Sequence, residues 1–185
     1  MEKGIKNLDY LILTRRSIRK YLDKRVEPEK MRCLLEALRM APSACNAQPW
    51  RLVVVTQKEL LNKISDEGLG GIVSNKWAKT APAIIVACSD LSLHTHRLGE
   101  MVQGVKYHLI DMGIALEHLA LKAVELGLGT CYIGWFNEKP IKQILNIPSS
   151  WKVECLLTLG YSAETPGASP RKALEEIVFY NRISN

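Results

Sequence analysis

The 185-residue chain has no run of about eighteen apolar residues, so no membrane-spanning helix is written in it. Met1-Glu2-Lys3-Gly4-Ile5-Lys6 lacks an apolar signal region, so secretion is not indicated and a cytoplasmic protein is expected. Cys33, Cys45, Cys88, Cys131 and Cys155 are odd in number, widely spaced and without a C-x-x-C pair. That pattern excludes a paired-thiol metal or redox centre, and the five read as reduced, mainly packing residues. His94 and His96 have no third ligand at metal spacing, so no metal is expected. A Gly-Lys-Ser/Thr phosphate loop is absent, as is any convincing catalytic triad. In Gly127-Leu128-Gly129-Thr130-Cys131-Tyr132-Ile133-Gly134 the last glycine comes two residues too late for G-x-G-x-x-G, and the segment follows a helical pattern where that fingerprint follows a strand. No repeat, low-complexity tract or linker divides the chain. With 47% hydrophobic residues it is long enough for one core and too short for two, which predicts one domain over residues 1–185.

What is present is a succession of helix-length and strand-length apolar patterns. Leu8, Leu11 and Ile12 predict a helix over 7–14, and Pro28 opens a second with a stripe of Met31, Leu34, Leu35 and Leu38. Arg51 to Thr56 and Ala83 to Cys88 read as strands, the latter covered on both faces. Between them Leu60, Leu61 and Ile64 suggest a short helix ending at Gly68-Leu69-Gly70-Gly71, while 72–82 gives no clear pattern. A long helix is predicted from about Leu98 to Leu126, apolar nearly all round and therefore in the core or at a subunit interface, with His108 and His118 as packing residues. Gly127 stops it. Thr130 to Trp135 is a third strand, Asn137 to Leu145 a helix capped by Asn137, and Trp151 to Leu159 a fourth strand. Ile177-Val178-Phe179-Tyr180 reads as a further strand without a hairpin partner, to be paired with a distant strand or another subunit.

Two features stand outside these patterns. Pro42-Ser43-Ala44-Cys45-Asn46-Ala47-Gln48-Pro49-Trp50 is a loop stiffened by prolines, which bias Ala41 and Gln48 toward extended geometry. Asn46 and Gln48 each offer a donor and an acceptor, which suits the edge of a flat heteroaromatic ring or an ordinary connection. The second is basic charge, a formal +6 overall. It gathers at Arg15, Arg16, Arg19 and Lys20, and again at Arg171 and Lys172, where guanidinium groups with the Ser17 hydroxyl suit a phosphate, a nucleic acid or plain solvation.

Arg15-Arg16-Ser17-Ile18-Arg19-Lys20-Tyr21, the Ala41 to Trp50 loop, Gly127 to Gly134, and Leu159-Gly160-Tyr161 with Pro170-Arg171-Lys172 occur in an order that closely resembles the nitroreductase family of FMN-dependent oxidoreductases. The resemblance spans nearly the whole chain and is weakest over 68–107. It implies an α+β fold with a central, antiparallel-dominated sheet flanked by helices, in an intertwined homodimer with FMN at the interface and the C-terminal tail crossing to the partner. Arg15, Arg16, Ser17 and Arg19 would hold the FMN phosphate and ribityl chain, with Arg19 nearest the pyrimidine edge. Arg171 and Lys172 would close on the phosphate. Pro42, Ser43, Ala44 and Asn46 of the other subunit would line the ring, supported by Gln48. Ile133, Gly134 and Trp135 would pass beside it, one backbone N–H facing N5. Many relatives carry an acidic residue and a glycine there; this chain does not, which leaves the donor open by one residue. Cys45 would be a flavin-proximal thiol or a packing residue.

The implied chemistry belongs to the flavin: hydride from NADH or NADPH reaches N5, and a nitroaromatic or quinone then takes electrons at the same face, in ping-pong order. No protein nucleophile is needed. The same fold also serves reductive dehalogenation, ring oxidation and enone reduction, to be decided by Gly68 to Gly104. A redox-sensing flavoprotein with little turnover and a basic nucleic-acid binder are the other readings. The flavin reading expects no nucleic-acid or membrane partner.

Overall fold

The computed structural model describes residues 7–70, 73–90 and 104–183. Helix α1 (Leu8–Thr14) is capped by Asn7, whose side chain accepts from the Tyr10 N–H at 2.9 Å. Helix α2 (Pro28–Arg39) starts at its proline, where a missing N–H costs nothing. Strand β1 (Trp50–Val55) leads to α3 (Lys58–Lys63), a wider turn over Ile64–Gly68 and a 3-10 turn over Lys76–Thr80. Strand β2 (Ala83–Asp90), the long helix α4 (Tyr107–Glu125), β3 (Gly129–Ile133), α5 (Glu138–Ile144) and β4 (Trp151–Gly160) follow, and a 3-10 turn at Leu174–Glu176 lies in the tail.

The four strands form one sheet in the order β1-β2-β4-β3, every pair antiparallel. This is the expected α+β arrangement, and its logic is the double covering of β2. Ile85 and Ala87 face Leu34 and Leu38 of α2 and Leu116 and Leu119 of α4, while Ile84 and Val86 face Leu61, Ile64 and Ile141 on the opposite side. An unbroken apolar run is what a strand buried on both faces requires.

Several expectations need correction. Helix α4 begins at Tyr107: residues 104–106 are not helical, and 91–103, with His94, His96 and Leu98, lie outside the described residues, as do Gly71 and Ile72. Within this chain α4 is covered on one side only, which the expectation of a core or subunit-interface helix allows. Met112, Ala115, Leu116 and Leu119 are buried, but Leu109, Ile110 and Ile114 are exposed, so one face meets the sheet and the other is open. The same division leaves Leu8 and Ile12 of α1 exposed beside a buried Leu11. Strand β3 stops at Ile133, two residues before Trp135, and Asn137 holds the cap position of α5 without a side-chain bond. Ile177 to Tyr180 form no strand in this chain. They follow the tail turn as exposed backbone, Tyr180 at 81% accessibility, and among the described residues no strand pairs with them. All five cysteines are free thiols. Cys88 and Cys131 are buried and Cys155 half-buried, whereas Cys33 and Cys45 are exposed and do no packing.

Among the described residues, no helix is long and apolar enough to cross a membrane, and no three His, Cys, Asp or Glu side chains are grouped to hold a metal.

Candidate functional site

After α1 the chain runs extended along β3. Ser17 bridges Thr130 in parallel, the Ile18 N–H donates to Thr130 O at 2.9 Å, and Tyr21 bridges Ser162 beyond the end of β4. Glycine at 129 permits this approach, since a Cβ there would lie 2.4 Å from Ile18 Cγ1. Tyr21 then fixes the segment from beneath: its hydroxyl donates to Ile18 O at 2.6 Å and lies 2.7 Å from Thr158 Oγ1, and burial pushes its pKa far upward. Glu164 holds the far end, one carboxylate oxygen accepting from the N–H groups of Arg19 (2.5 Å) and Lys20 (3.1 Å).

This backbone sorts the basic side chains. Arg15 turns to α4, with Nε 3.4 Å from Glu117 Oε1, and Glu117 Oε2 accepts from the Tyr132 hydroxyl at 3.2 Å. Burial raises the pKa of the Cys131 thiol of β3, outweighing the lowering influence of Arg19, Ser17 and Arg15 beside it. Arg16 has other neighbours. Its guanidinium donates to Leu13 O (2.7 Å) and Arg15 O (2.8 Å) and lines a cavity of about 390 Å³ with Tyr10, Thr14, Ile18, Ser162 and Glu164. The four predicted residues are therefore contiguous, but Arg16 is divided from the other three. Arg171 and Lys172 lie on the exposed tail, where Arg171 donates to Pro170 O at 3.3 Å.

The amide-bearing loop folds as a tight 3-10 turn over Ala44–Asn46. Asn46 N–H donates to Ser43 O (2.9 Å) and Ala47 N–H to Ala44 O (3.0 Å). Cys45, Asn46 and Gln48 take φ of 53°, 52° and 46°, a left-handed conformation that costs on the order of 1–3 kcal/mol for a residue with a side chain. The extended Gln48 expected from its following proline is thus replaced by a positive-φ residue. Gln48 N–H donates to Ser43 Oγ (3.0 Å), and Gln48 Nε2 to Asn46 O (3.2 Å) and Asn46 Oδ1 (3.1 Å), which offsets the strain. Pro42, Asn46 and Gln48 are exposed, and Ser43 and Ala44 half-buried. From α4, buried Asp111 reaches across so that its Oδ1 accepts from the Ala44 N–H at 3.0 Å.

At the end of β3, Ile133 is buried while Gly134 and Trp135 are exposed, and no atom lies within 4 Å of where a Gly134 Cβ would stand. The Trp135 carbonyl is held by Asn75 Nδ2 at 3.0 Å. Arg15, Ser17 and Arg19 along one segment, with an open glycine at the end of the strand that supports it, fit a phosphate-bearing group with a flat ring: charge and hydroxyl for the phosphate, bare backbone for the ring. Cysteine chemistry fits less well, because burial raises Cys88 to about 11 and Cys155 to about 12, keeping both protonated. Asp111, Glu117 and Tyr132 are functional candidates that pattern reading passes over. The two acids had a visible signal, as the acidic residues within the mostly apolar stretch from Leu109 to Leu121.

The sequence model of the nitroreductase family matches residues 12–161, most of the chain. An FMN reductase [NAD(P)H] of Bacillus subtilis is 32% identical over 175 residues, covering 88% of this chain and 68% of that protein. An NADH dehydrogenase of Thermus thermophilus is 30% identical over 194 residues, covering 91% and 93%. Among solved structures, an FMN-dependent nitroreductase of Clostridium difficile superimposes with a TM-score of 0.79 at 32% identity, covering 94% of this chain and 98% of that one.

Proposed function

The chain belongs to the nitroreductase family, and from that membership we propose that it is an FMN-dependent oxidoreductase that takes hydride from NADH or NADPH and reduces a nitroaromatic, quinone or similar small acceptor. The observation that carries this reading is the arginine segment laid against β3, with Arg15, Ser17 and Arg19 beside the strand that ends at open Gly134. FMN, when bound, supplies hydride acceptance at N5. The chain's own residues bind, orient and shield it.

In this reading Arg15, Ser17 and Arg19 hold the phosphate and ribityl chain, and Arg19 sets positive charge toward the pyrimidine edge. Arg16 braces the segment from its other side through Leu13 O and Arg15 O. Ile133, Gly134 and Trp135 present backbone to the ring, with the Asn75 bond to Trp135 O keeping that turn in place. Pro42, Ser43, Ala44 and Asn46, supported by Gln48, line the ring from the other subunit of a homodimer, and Arg171 with Lys172 closes on the phosphate.

The exposed apolar faces of α1 and α4 support that dimer, with Leu8, Ile12, Leu109, Ile110 and Ile114 otherwise left in water. The groove between α2 and edge strand β1, lined by Met31, Leu35, Trp50, Leu52 and Val54, suits the tail of the partner, since an unpaired strand edge and an apolar Ile177-Val178-Phe179-Tyr180 segment satisfy each other. Residues 1–185 thus act as one FMN-binding domain with an extension reaching across the dimer, working in the cytoplasm on small molecules. Nicotinamide and acceptor use the same ring face in turn, which gives ping-pong kinetics.

The test is an absorption spectrum of the purified protein reconstituted with FMN, followed by oxidation of each nicotinamide with a nitroaromatic or quinone present. Bound flavin and parallel initial-rate lines are expected. A protein that remains colourless and oxidises neither nicotinamide overturns the proposal.

A further inference from the structure

The turn at Ala44–Asn46 is not capped by its own sequence. Ser43, at the position before it, makes no side-chain cap bond, because its hydroxyl accepts from Gln48 N–H instead. The first N–H of the turn, on Ala44, is satisfied from 67 residues away by Asp111 Oδ1 at 3.0 Å. Asp111 is 3% exposed and sits on α4 beside Met112, one turn past buried His108, on a helix anchored to the sheet by Ala115, Leu116 and Leu119. A buried carboxylate on a rigid helix therefore holds a loop in which Cys45, Asn46 and Gln48 all have positive φ. Charge-assisted bonds of this kind are about twice as strong as neutral ones, and a strained loop persists only where its surroundings over-determine it.

We propose that Asp111 is a positioning residue for the flavin site, fixing through the Ala44 N–H the conformation in which the loop meets the ring. This rests on the FMN reading above. Asp111 itself touches neither substrate nor flavin. Its carboxylate sets where Ala44 and Asn46 stand, and the tightness of flavin binding follows from that placement.

The experiment measures FMN dissociation from the reconstituted protein, with hydrogen exchange of the 42–50 peptide in parallel. Asp111→Ala should weaken FMN binding about tenfold or more and speed exchange of that peptide while peptides of β2 and β4 stay protected. Asp111→Asn keeps an acceptor oxygen and should restore binding to within about threefold of the parent. Ala44→Pro removes the donor from the other side of the same bond, so it serves if Asp111→Ala does not fold. Its effect should not add to that of Asp111→Ala, since groups sharing one bond are coupled. Unchanged FMN dissociation in Asp111→Ala, or additive losses in the double variant, overturns the inference. Should the parent bind no FMN, the functional reading fails, and the exchange arm still judges the Asp111–Ala44 link by whether the loop alone is released.

Discussion

Ile18 and Gly129 lie so close that a side chain at position 129 would have to share space with Ile18, Cγ1 being 2.4 Å and Cβ 2.9 Å from the place of a Cβ. Ile18 cannot retreat cheaply, because Tyr21 and Ala81 pack around it and its carbonyl holds the Tyr21 hydroxyl. Gly129→Ala should therefore push the arginine segment off β3. The expected cost is about 1–3 kcal/mol of stability from overpacking. A larger relative loss should appear in FMN affinity, because Arg15, Ser17 and Arg19 move with Ile18. Thermal melting and flavin titration of the same sample check it; a melting change with unaltered FMN affinity would detach Gly129 from the site.

The sheet was legible in the chain wherever burial was two-sided, as in Ala83 to Cys88, since a short, unbroken apolar run suits a strand covered on both faces. The exposed helix faces and the exposed course of the tail were not. Leu109, Ile110 and Ile177 look like core residues to any periodicity argument, and only three-dimensional neighbours tell a buried face from one left open. Site geometry was hidden for a related reason. The positive φ of Gln48 runs against its following proline and is set by Ser43 and Asn46, and the partner of Ala44 N–H lies on a helix remote in sequence. The arginine motif was plain as charge. Its division between Arg16 and the other three comes from an extended backbone lying on β3, which charge alone does not reveal.

Thiol labelling separates exposed from buried cysteines and tests the loop. Cys33 and Cys45 are exposed, whereas Cys88 is buried, Cys155 half-buried, and burial raises both thiols, to about 11 and about 12. Alkylation near neutral pH, read by mass spectrometry, should modify Cys33 and Cys45 well before the other three. Saturating FMN should slow Cys45 and leave Cys33 unchanged, because only Cys45 lies in the loop assigned to the ring. Equal slowing of both would point to general tightening of the fold.

Two carboxylates should shape the pH profile of stability in opposite ways. Burial raises Glu154, despite the neighbouring Ser89 hydroxyl and the nearby Lys152 and Lys106, with Glu138 adding to the rise and His108 Nε2 3.6 Å from its Oε1. A raised carboxyl binds its proton more tightly folded than unfolded, so its contribution is fully present below the unfolded value and is lost as pH rises through the folded one. Glu138 is also pushed up by burial, but bonds from Lys152 and the Val153 N–H outweigh this and lower it. Its contribution is present above the unfolded value and lost as pH falls through the folded one. Glu154→Gln should thus gain stability over the parent as pH goes from acid to neutral, and Glu138→Gln should lose it over the same range. Melting curves across that range check both signs.

The pair between Arg15 and Glu117 raises a question of competition. Glu117 is 44% exposed and its oxygen is 3.4 Å from Arg15 Nε, so solvent screens the attraction to about 0.5–1 kcal/mol. A flavin phosphate held by the same guanidinium must compete with that carboxylate, and it also feels direct repulsion from it. Glu117→Gln removes the charge while keeping an acceptor for the Tyr132 hydroxyl, so the wall of the site stays in place. FMN should then bind about two- to fivefold more tightly at low salt, the factor that 0.5–1 kcal/mol supplies. The gain should shrink as salt rises, because screening weakens repulsion between exposed charges. The opposite result, weaker binding in Glu117→Gln, would show that the carboxylate's orienting of Arg15 outweighs its repulsion. Titrations at two salt concentrations give the sign of the effect and its salt dependence together.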